Sequence, residues 1–124
     1  MTGTPRALPV CCRSVSVVAL RSGAEGPAML LVRRAVTLAG TWSQVSGGIA
    51  PGETAWQAAL RALAEEAGLV PERLYAADHC EQFYDADLDE ITLVPVFVAI
   101  VPPDAAPTLG TANTAWCWAS PAEA

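Results

Sequence analysis

The sequence predicts an α+β domain. Several β-branched apolar runs read as strands, and in one internal stretch the apolar period changes to that of a helix. Val15 to Leu20 is the first strand-like run and Met29 to Val32 the second, separated by a glycine-containing loop from Arg21 to Gly26. Trp42 to Ser46 reads as a short extended piece that enters Gly47-Gly48. From Thr54 onward the apolar positions are Trp56, Ala59, Leu60, Leu63 and Ala67, one face of a helix. Thr54 and Gln57 have capping-box spacing, and Gly68 is a C-terminal stop, so the helix is predicted over Ala55 to Ala67. Leu74 to Tyr84 then reads as a long, partly polar strand, and Asp85 to Glu90 as an acidic turn. Ile91 to Val101 is the strongest strand signal, with Pro95 implying an edge or bulge position. These two strands are expected to pair as a hairpin. Pro102 to Gly110 reads as a loop and Thr114 to Trp118 as a last strand. Ser120-Pro121-Ala122-Glu123 has the pattern of a helix start, so a C-terminal helix is expected to be missing or truncated.

Composition restricts the function classes. A chain of 124 residues fits one domain, and 52% hydrophobic with 16% charged residues supplies a core and excludes a disordered reading. The net charge of −6 argues against polymeric nucleic acid as a partner. No apolar run approaches the roughly 18–20 residues that span a bilayer, so no membrane role is expected. Residues 1–12 read as a flexible lead-in and 13–124 as the domain. Cys11, Cys12, Cys80 and Cys117 form no C-x-x-C pair; they read as reduced thiols packed on strands, which points to the cytoplasm.

The chemistry concentrates between Gly47 and Leu69. Gly47-Gly48-Ile49-Ala50-Pro51-Gly52-Glu53 forms a loop whose backbone can approach a ligand closely. The helix behind it carries Glu65 and Glu66, Glu65 one turn beyond Arg61 and Glu66 one turn beyond Ala62. Adjacent carboxylates repel, and Mg²⁺ or Mn²⁺ offsets that repulsion while bridging to substrate phosphates.

This stretch resembles the Nudix hydrolase signature G-x5-E-x7-R-E-U-x-E-E-x-G-U, where U is apolar. Gly47, Glu53, Arg61, Leu63, Glu65, Glu66, Gly68 and Leu69 fill eight of its nine defined positions. Average residue usage gives such a coincidence a probability on the order of 10⁻⁸. The resemblance implies an α/β/α sandwich, a mixed sheet with the loop–helix packed on it, and hydrolysis of a pyrophosphate linkage in a nucleoside-diphosphate-type substrate. Around the box, Leu31-Val32-Arg33-Arg34 and Trp42-Ser43-Gln44-Val45-Ser46-Gly47-Gly48 are similar to members acting on nucleoside or pterin triphosphates. That likeness makes Arg34 or Arg33 the candidate phosphate contact. Of the four tryptophans, Trp42, Trp56, Trp116 and Trp118, Trp42 is the best candidate to stack a nucleobase or pterin, with core or rim packing the commoner role for each. The likeness assigns Glu53 and Arg61 to an ionic brace between loop and helix, and metal binding and catalysis to Glu65 and Glu66, with the Gly47 carbonyl assisting.

The pattern is broken at Ala62, where the family has a glutamate that binds metal and in some members acts as general base. By loose alignment Ala112-Asn113 stands where the pterin-triphosphate relatives have a Glu-His pair. An enzyme with a rewired base, a natural pseudoenzyme and an engineered inactive form all remain open, so the alternative to hydrolysis is a catalytically impaired binding module. Asp87, Asp89 and Glu90 are candidate replacement carboxylates, although their segment reads first as a solubilising turn. His79 reads as a packing residue. A missing terminal helix would leave apolar surface uncovered, and a homodimer is expected on that ground.

Overall fold

The chain is described here by a computed structural model, which covers residues 7–23, 26–35, 39–111 and 113–120. The predicted helix start at 121–124 lies outside the described residues. Among those described, the elements in order are β1 (Val10–Cys11), β2 (Ser14–Gly23), β3 (Gly26–Arg34), β4 (Trp42–Ser43), β5 (Val45–Gly48), α1 (Ala55–Ala67), β6 (Arg73–Asp85), β7 (Glu90–Ile100) and β8 (Asn113–Ala119). They match the predicted strands closely, with two differences. The segment read as a lead-in contains β1, which pairs in parallel with the start of β7 at Val10–Ile91 and Cys11–Thr92. The extended piece from Trp42 to Ser46 is two strands interrupted at Gln44.

All eight strands belong to one mixed sheet, ordered β1-β7-β2-β3-β4, with β5 on β2, β6 on β7 and β8 on β3. β7 runs parallel to both β1 and β2, and the remaining pairs are antiparallel. A parallel β2–β7 pair needs a crossover, and the segment carrying α1 provides it. Pro95 sits where the β7 ladder is interrupted: β1 pairs before it, β2 after it, and the β6 register shifts between Ala76 and Cys80. It therefore occupies a bulge rather than an edge strand, because a residue without an N–H costs least where the ladder is already broken.

The helix begins and ends as its sequence dictates. The Thr54 hydroxyl accepts from the Gln57 N–H at 3.1 Å while the Gln57 side chain accepts from the Thr54 N–H at 2.9 Å. Gly68 closes it in the left-handed region, with φ of 63°. The face it buries is the predicted one in part: Ala59, Leu63 and Ala67 are buried as expected, and Leu60 is half-buried. Ala58 and Ala62 are buried as well, and Trp56 is 52% exposed. The helix packs on β5 and β2, covering Val15, Val17 and Val45. The small side chains permit a close approach. A Cβ added to Gly47 would lie 2.8 Å from the Cβ of Ala62, so glycine at 47 and alanine at 62 set the spacing between loop and helix together. Among the described residues α1 covers one face of the sheet, and no described helix forms the second layer of the expected sandwich.

The four thiols are free. No helix among the described residues is long and apolar enough to cross a membrane.

Candidate functional site

Two neighbouring features make up the candidate site: the loop–helix with its acidic end, and a cleft beside the glycine loop.

In the loop–helix, Arg61 lies at the centre. Its Nε donates to Glu53 Oε2 at 2.9 Å and its Nη2 to Glu53 Oε1 at 2.9 Å, the bidentate geometry of a guanidinium on a carboxylate. The same Nη2 donates to the Gly48 carbonyl at 2.6 Å. The Ala50 N–H donates to Glu53 Oε1 at 2.9 Å. Arg61 thereby ties the glycine loop, the helix entry and the helix body. The Arg61 guanidinium, helped by the Ala50 N–H, holds the Glu53 carboxyl down at about 2, and Glu53 in turn raises the Arg61 pKa.

Arg61 also reaches Glu65, with Nη1 donating to Oε2 at 3.1 Å across one helical turn. Glu65 is exposed, whereas Glu66 is half-buried and accepts from Asn113 Nδ2 at 3.0 Å. That contact depends on the loop after β7. Thr108 N–H donates to the Ala67 carbonyl at 2.8 Å and Gly110 N–H to the Glu66 carbonyl at 3.1 Å, so this loop caps the helix and delivers Asn113 to the acidic end. Sequence reasoning placed Asn113 only as the substitute in a Glu-His position. That it partners Glu66 becomes visible once the loop is seen strapped to the helix. Ala112 lies outside the described residues.

Ala62, one turn before Glu66, is 1% exposed and packed against Gly47. Among the described residues no group of three or more His, Cys, Asp or Glu side chains is placed to hold a metal ion. Glu65 and Glu66 have separate partners, Arg61 for the first and Asn113 for the second. Mg²⁺ keeps several waters and is commonly held by one or two carboxylates together with substrate phosphates, so these two could serve only an ion completed by its substrate and not a cage made by the protein alone.

The cleft has a volume of about 700 Å³ and adjoins the loop at Gly47 and Gly48. Ser14, Ser16 and Val94 also line it. Arg34 stands on one wall, its Nη1 donating to Ser43 Oγ and to Ser46 Oγ, each at 3.3 Å. Glu81 and Phe83 on β6 line the cleft as well, and Gln44 Nε2 donates to Glu81 Oε1 at 3.3 Å.

The structure thus separates the predicted site residues into groups. Arg34 and Gly47 share the cleft. Arg33, the other arginine candidate, is exposed and outside the lining, its guanidinium beside Gly40. Trp42 pairs with Arg33 across β3–β4, is 45% exposed and also lies outside the lining. Glu65 and Glu66 sit at the helix end, not on the cleft wall.

The candidate replacement carboxylates have other partners. Glu90 is buried, accepts from Arg13 and from the Thr92 hydroxyl, and has its pKa lowered, chiefly by the Arg13 hydrogen bond. Asp89 accepts from the Tyr84 hydroxyl at 2.7 Å. Asp85 accepts from the backbone N–H groups of Asp87 and Leu88, which makes the acidic segment a self-bonded hairpin turn. His79 is exposed at the β6 bulge and not packed as expected.

Comparisons with known proteins agree with this architecture. The family model described as the NUDIX domain matches residues 12–124. The chain belongs to the Nudix family. It is 35% identical over 113 residues to an octanoyltransferase from Myxococcus xanthus; the match takes in 89% of this chain but only 31% of that protein, so the chain spans about a third of that relative's length. Among solved structures, the NUDIX domain of Shewanella oneidensis NrtR, complexed with ADP ribose, superposes with a TM-score of 0.73 at 21% identity. The match covers 94% of this chain and 75% of the other. The E. coli dihydroneopterin triphosphate pyrophosphohydrolase gives 0.69 at 23% identity, over 90% and 80% of the two chains.

Proposed function

We propose that this domain binds a nucleoside-diphosphate-type compound in the cleft and hydrolyses its pyrophosphate linkage, slowly, with a divalent cation at Glu65 and Glu66. The observation that carries the reading is Arg34: a guanidinium oriented by two serine hydroxyls on the wall of a cleft that continues into Gly47-Gly48. A fixed cation beside glycine backbone is suited to a phosphate group. The cleft is large enough for a mononucleotide-sized ligand.

In this reading Arg34 binds and orients the anhydride. Glu65 and Glu66 would hold Mg²⁺ or Mn²⁺, which when bound supplies charge neutralisation to the phosphates and lowers the pKa of a coordinated water. Asn113 fixes the Glu66 carboxylate, and the Glu53–Arg61 brace fixes the loop against the helix. Water adds to one phosphorus, the bridging P–O bond breaks, the departing phosphate keeps the electron pair of that bond, and the water's proton passes to solvent or to a phosphate oxygen. With alanine at 62, the glutamate that the family carries there is absent, and loss of a general base lowers rates by about 10² to 10⁴.

A second reading, a ligand-binding domain without turnover, is favoured by that same buried alanine and by the absence of a three-carboxylate cluster among the described residues. Release of phosphate or pyrophosphate over a nucleotide panel, with Mg²⁺ and with Mn²⁺, separates the two. Turnover that Glu66→Gln abolishes supports hydrolysis. Metal-dependent binding without turnover of any substrate overturns it and leaves the binding domain.

A further inference from the structure

We infer that the β6 side of the cleft reads a heterobicyclic base with a 2-amino-oxo edge, the edge shared by guanine and the pterins, through Gln44, Glu81 and Phe83. The inference rests on the phosphate-binding reading of Arg34 given above.

The cleft is polarised. Its cation, Arg34, lies on β3 beside the β4–β5 serines, while its anion, Glu81, lies on β6. β5, β2, β7 and β6 are successive neighbours in the sheet, so three strand spacings, about 14 Å along the sheet, separate the backbone of β5, whose Ser46 accepts from Arg34, from that of β6. A phosphate chain is attracted to Arg34 and repelled by Glu81. A ligand that fills the cleft therefore places its anionic end at Arg34 and an uncharged group at Glu81.

The groups at that second end specify the uncharged group. Phe83 is 51% exposed and lines the cleft, leaving an aromatic ring available to a flat heterocycle. The Gln44 side chain crosses the cleft to reach Glu81, with Nε2 to Oε1 at 3.3 Å. An ionised carboxylate only accepts hydrogen bonds, so it turns the amide N–H₂ of Gln44 toward itself and sets a donor beside two acceptors. A 2-amino-oxo edge presents the complement: a carbonyl oxygen, a ring N–H and an amino group in sequence. The carbonyl accepts from Gln44, and the two N–H groups donate to Glu81. Adenine puts a bare ring nitrogen opposite the carboxylate, where two acceptors face each other. Glu81 is exposed, so water competes for it, and the discrimination expected is about ten- to a hundredfold.

The test uses the α,β-methylene analogues of GDP and ADP, which an anhydride hydrolase cannot cleave, with binding followed by calorimetry in the presence of Mg²⁺. The guanosine analogue is expected to bind about ten- to a hundredfold tighter than the adenosine analogue, and Glu81→Gln to bring that ratio close to one. Guanosine and 6-hydroxymethylpterin as competitors show which ring is preferred. Competition by either that Glu81→Gln removes supports the assignment. Equal affinity for the two analogues in the unmodified protein, with Arg34→Ala weakening both alike, overturns the base-edge inference and leaves the phosphate site standing. Binding of neither analogue overturns the proposed function and the inference with it.

Discussion

Ala62→Glu places a carboxylate where the structure has a methyl group packed on Gly47. The starting side chain is 1% exposed, and its Cβ lies where a Cβ on Gly47 would come within 2.8 Å. The added atoms must pass Gly47, and the Glu66 side chain, one turn on, leans back toward position 62 as helical side chains do. Overpacking of a site this tight costs about 1–3 kcal/mol. For a domain of this size that corresponds to a melting temperature lower by about 4–12 °C. The introduced carboxylate also sits beside two others, so the loss is expected to shrink when Mg²⁺ or Mn²⁺ is added, since the ion offsets their repulsion. Turnover should rise by about 10² to 10⁴ if the base alone is lacking. The assay is phosphate release at saturating Mg²⁺, run beside thermal melts with and without metal. A variant that melts within the stated range, yet gains neither metal-dependent stability nor rate, refutes the reasoning that position 62 is what limits the site.

Glu53→Gln removes the bidentate partner of Arg61. Because the Glu53 pKa is depressed to about 2 from its usual 4.5, its stabilisation is fully present above about pH 4.5 and is lost as pH falls through 2. The difference in melting temperature between the parent and this variant should therefore be largest near neutral pH and close progressively from pH 4.5 to 2; a constant difference would contradict the brace. Gly110→Ala drives a Cβ into the Glu65 carbonyl oxygen, a backbone atom, so the loop must shift and stability should fall by about 1–3 kcal/mol in a denaturant titration. Thr54→Ala breaks the capping box and is expected to cost about 0.5–2 kcal/mol by the same measurement, with ligand affinity unchanged.

Legibility in the sequence followed the locality of each signal. The limits of α1 were readable because Thr54, Gln57 and Gly68 act within a turn of one another. The β6–β7 hairpin was readable because its turn is bonded within itself. The buried face of α1 was readable in part: Ala59, Leu63 and Ala67 were, Ala58 and Ala62 were not. Ala58 and Ala62 carry little hydrophobic signal beside Trp56, and what buries them is a close approach to β5 set by Gly47 from outside the helix. β1 was missed because two residues show no period; its place is fixed by β7, some eighty positions away. The site divides in the same way. Box spacing alone located Glu53, Arg61, Glu65 and Glu66. Which arginine faces the cleft is decided by strand pairing: Arg33 lies opposite Trp42, whereas Arg34 turns to Ser43 and Ser46. Gln44 and Glu81 meet only through the order of strands, which no local pattern encodes.

The strap made by Thr108, Gly110 and Asn113 bears on the order of assembly. α1 has no basic residue in its last turn to answer its exposed carbonyls, and that task falls to amides more than forty positions downstream. The helix can start locally but is completed only after β6, the turn and β7 have been laid down, which is a non-local closure and hence a late one. Glu66 receives its partner Asn113 in that same event. Opening of the strap would fray the helix end and release the carboxylate together, so amide exchange at Thr108 and Gly110 should report on the readiness of the acidic pair, and not on loop motion alone.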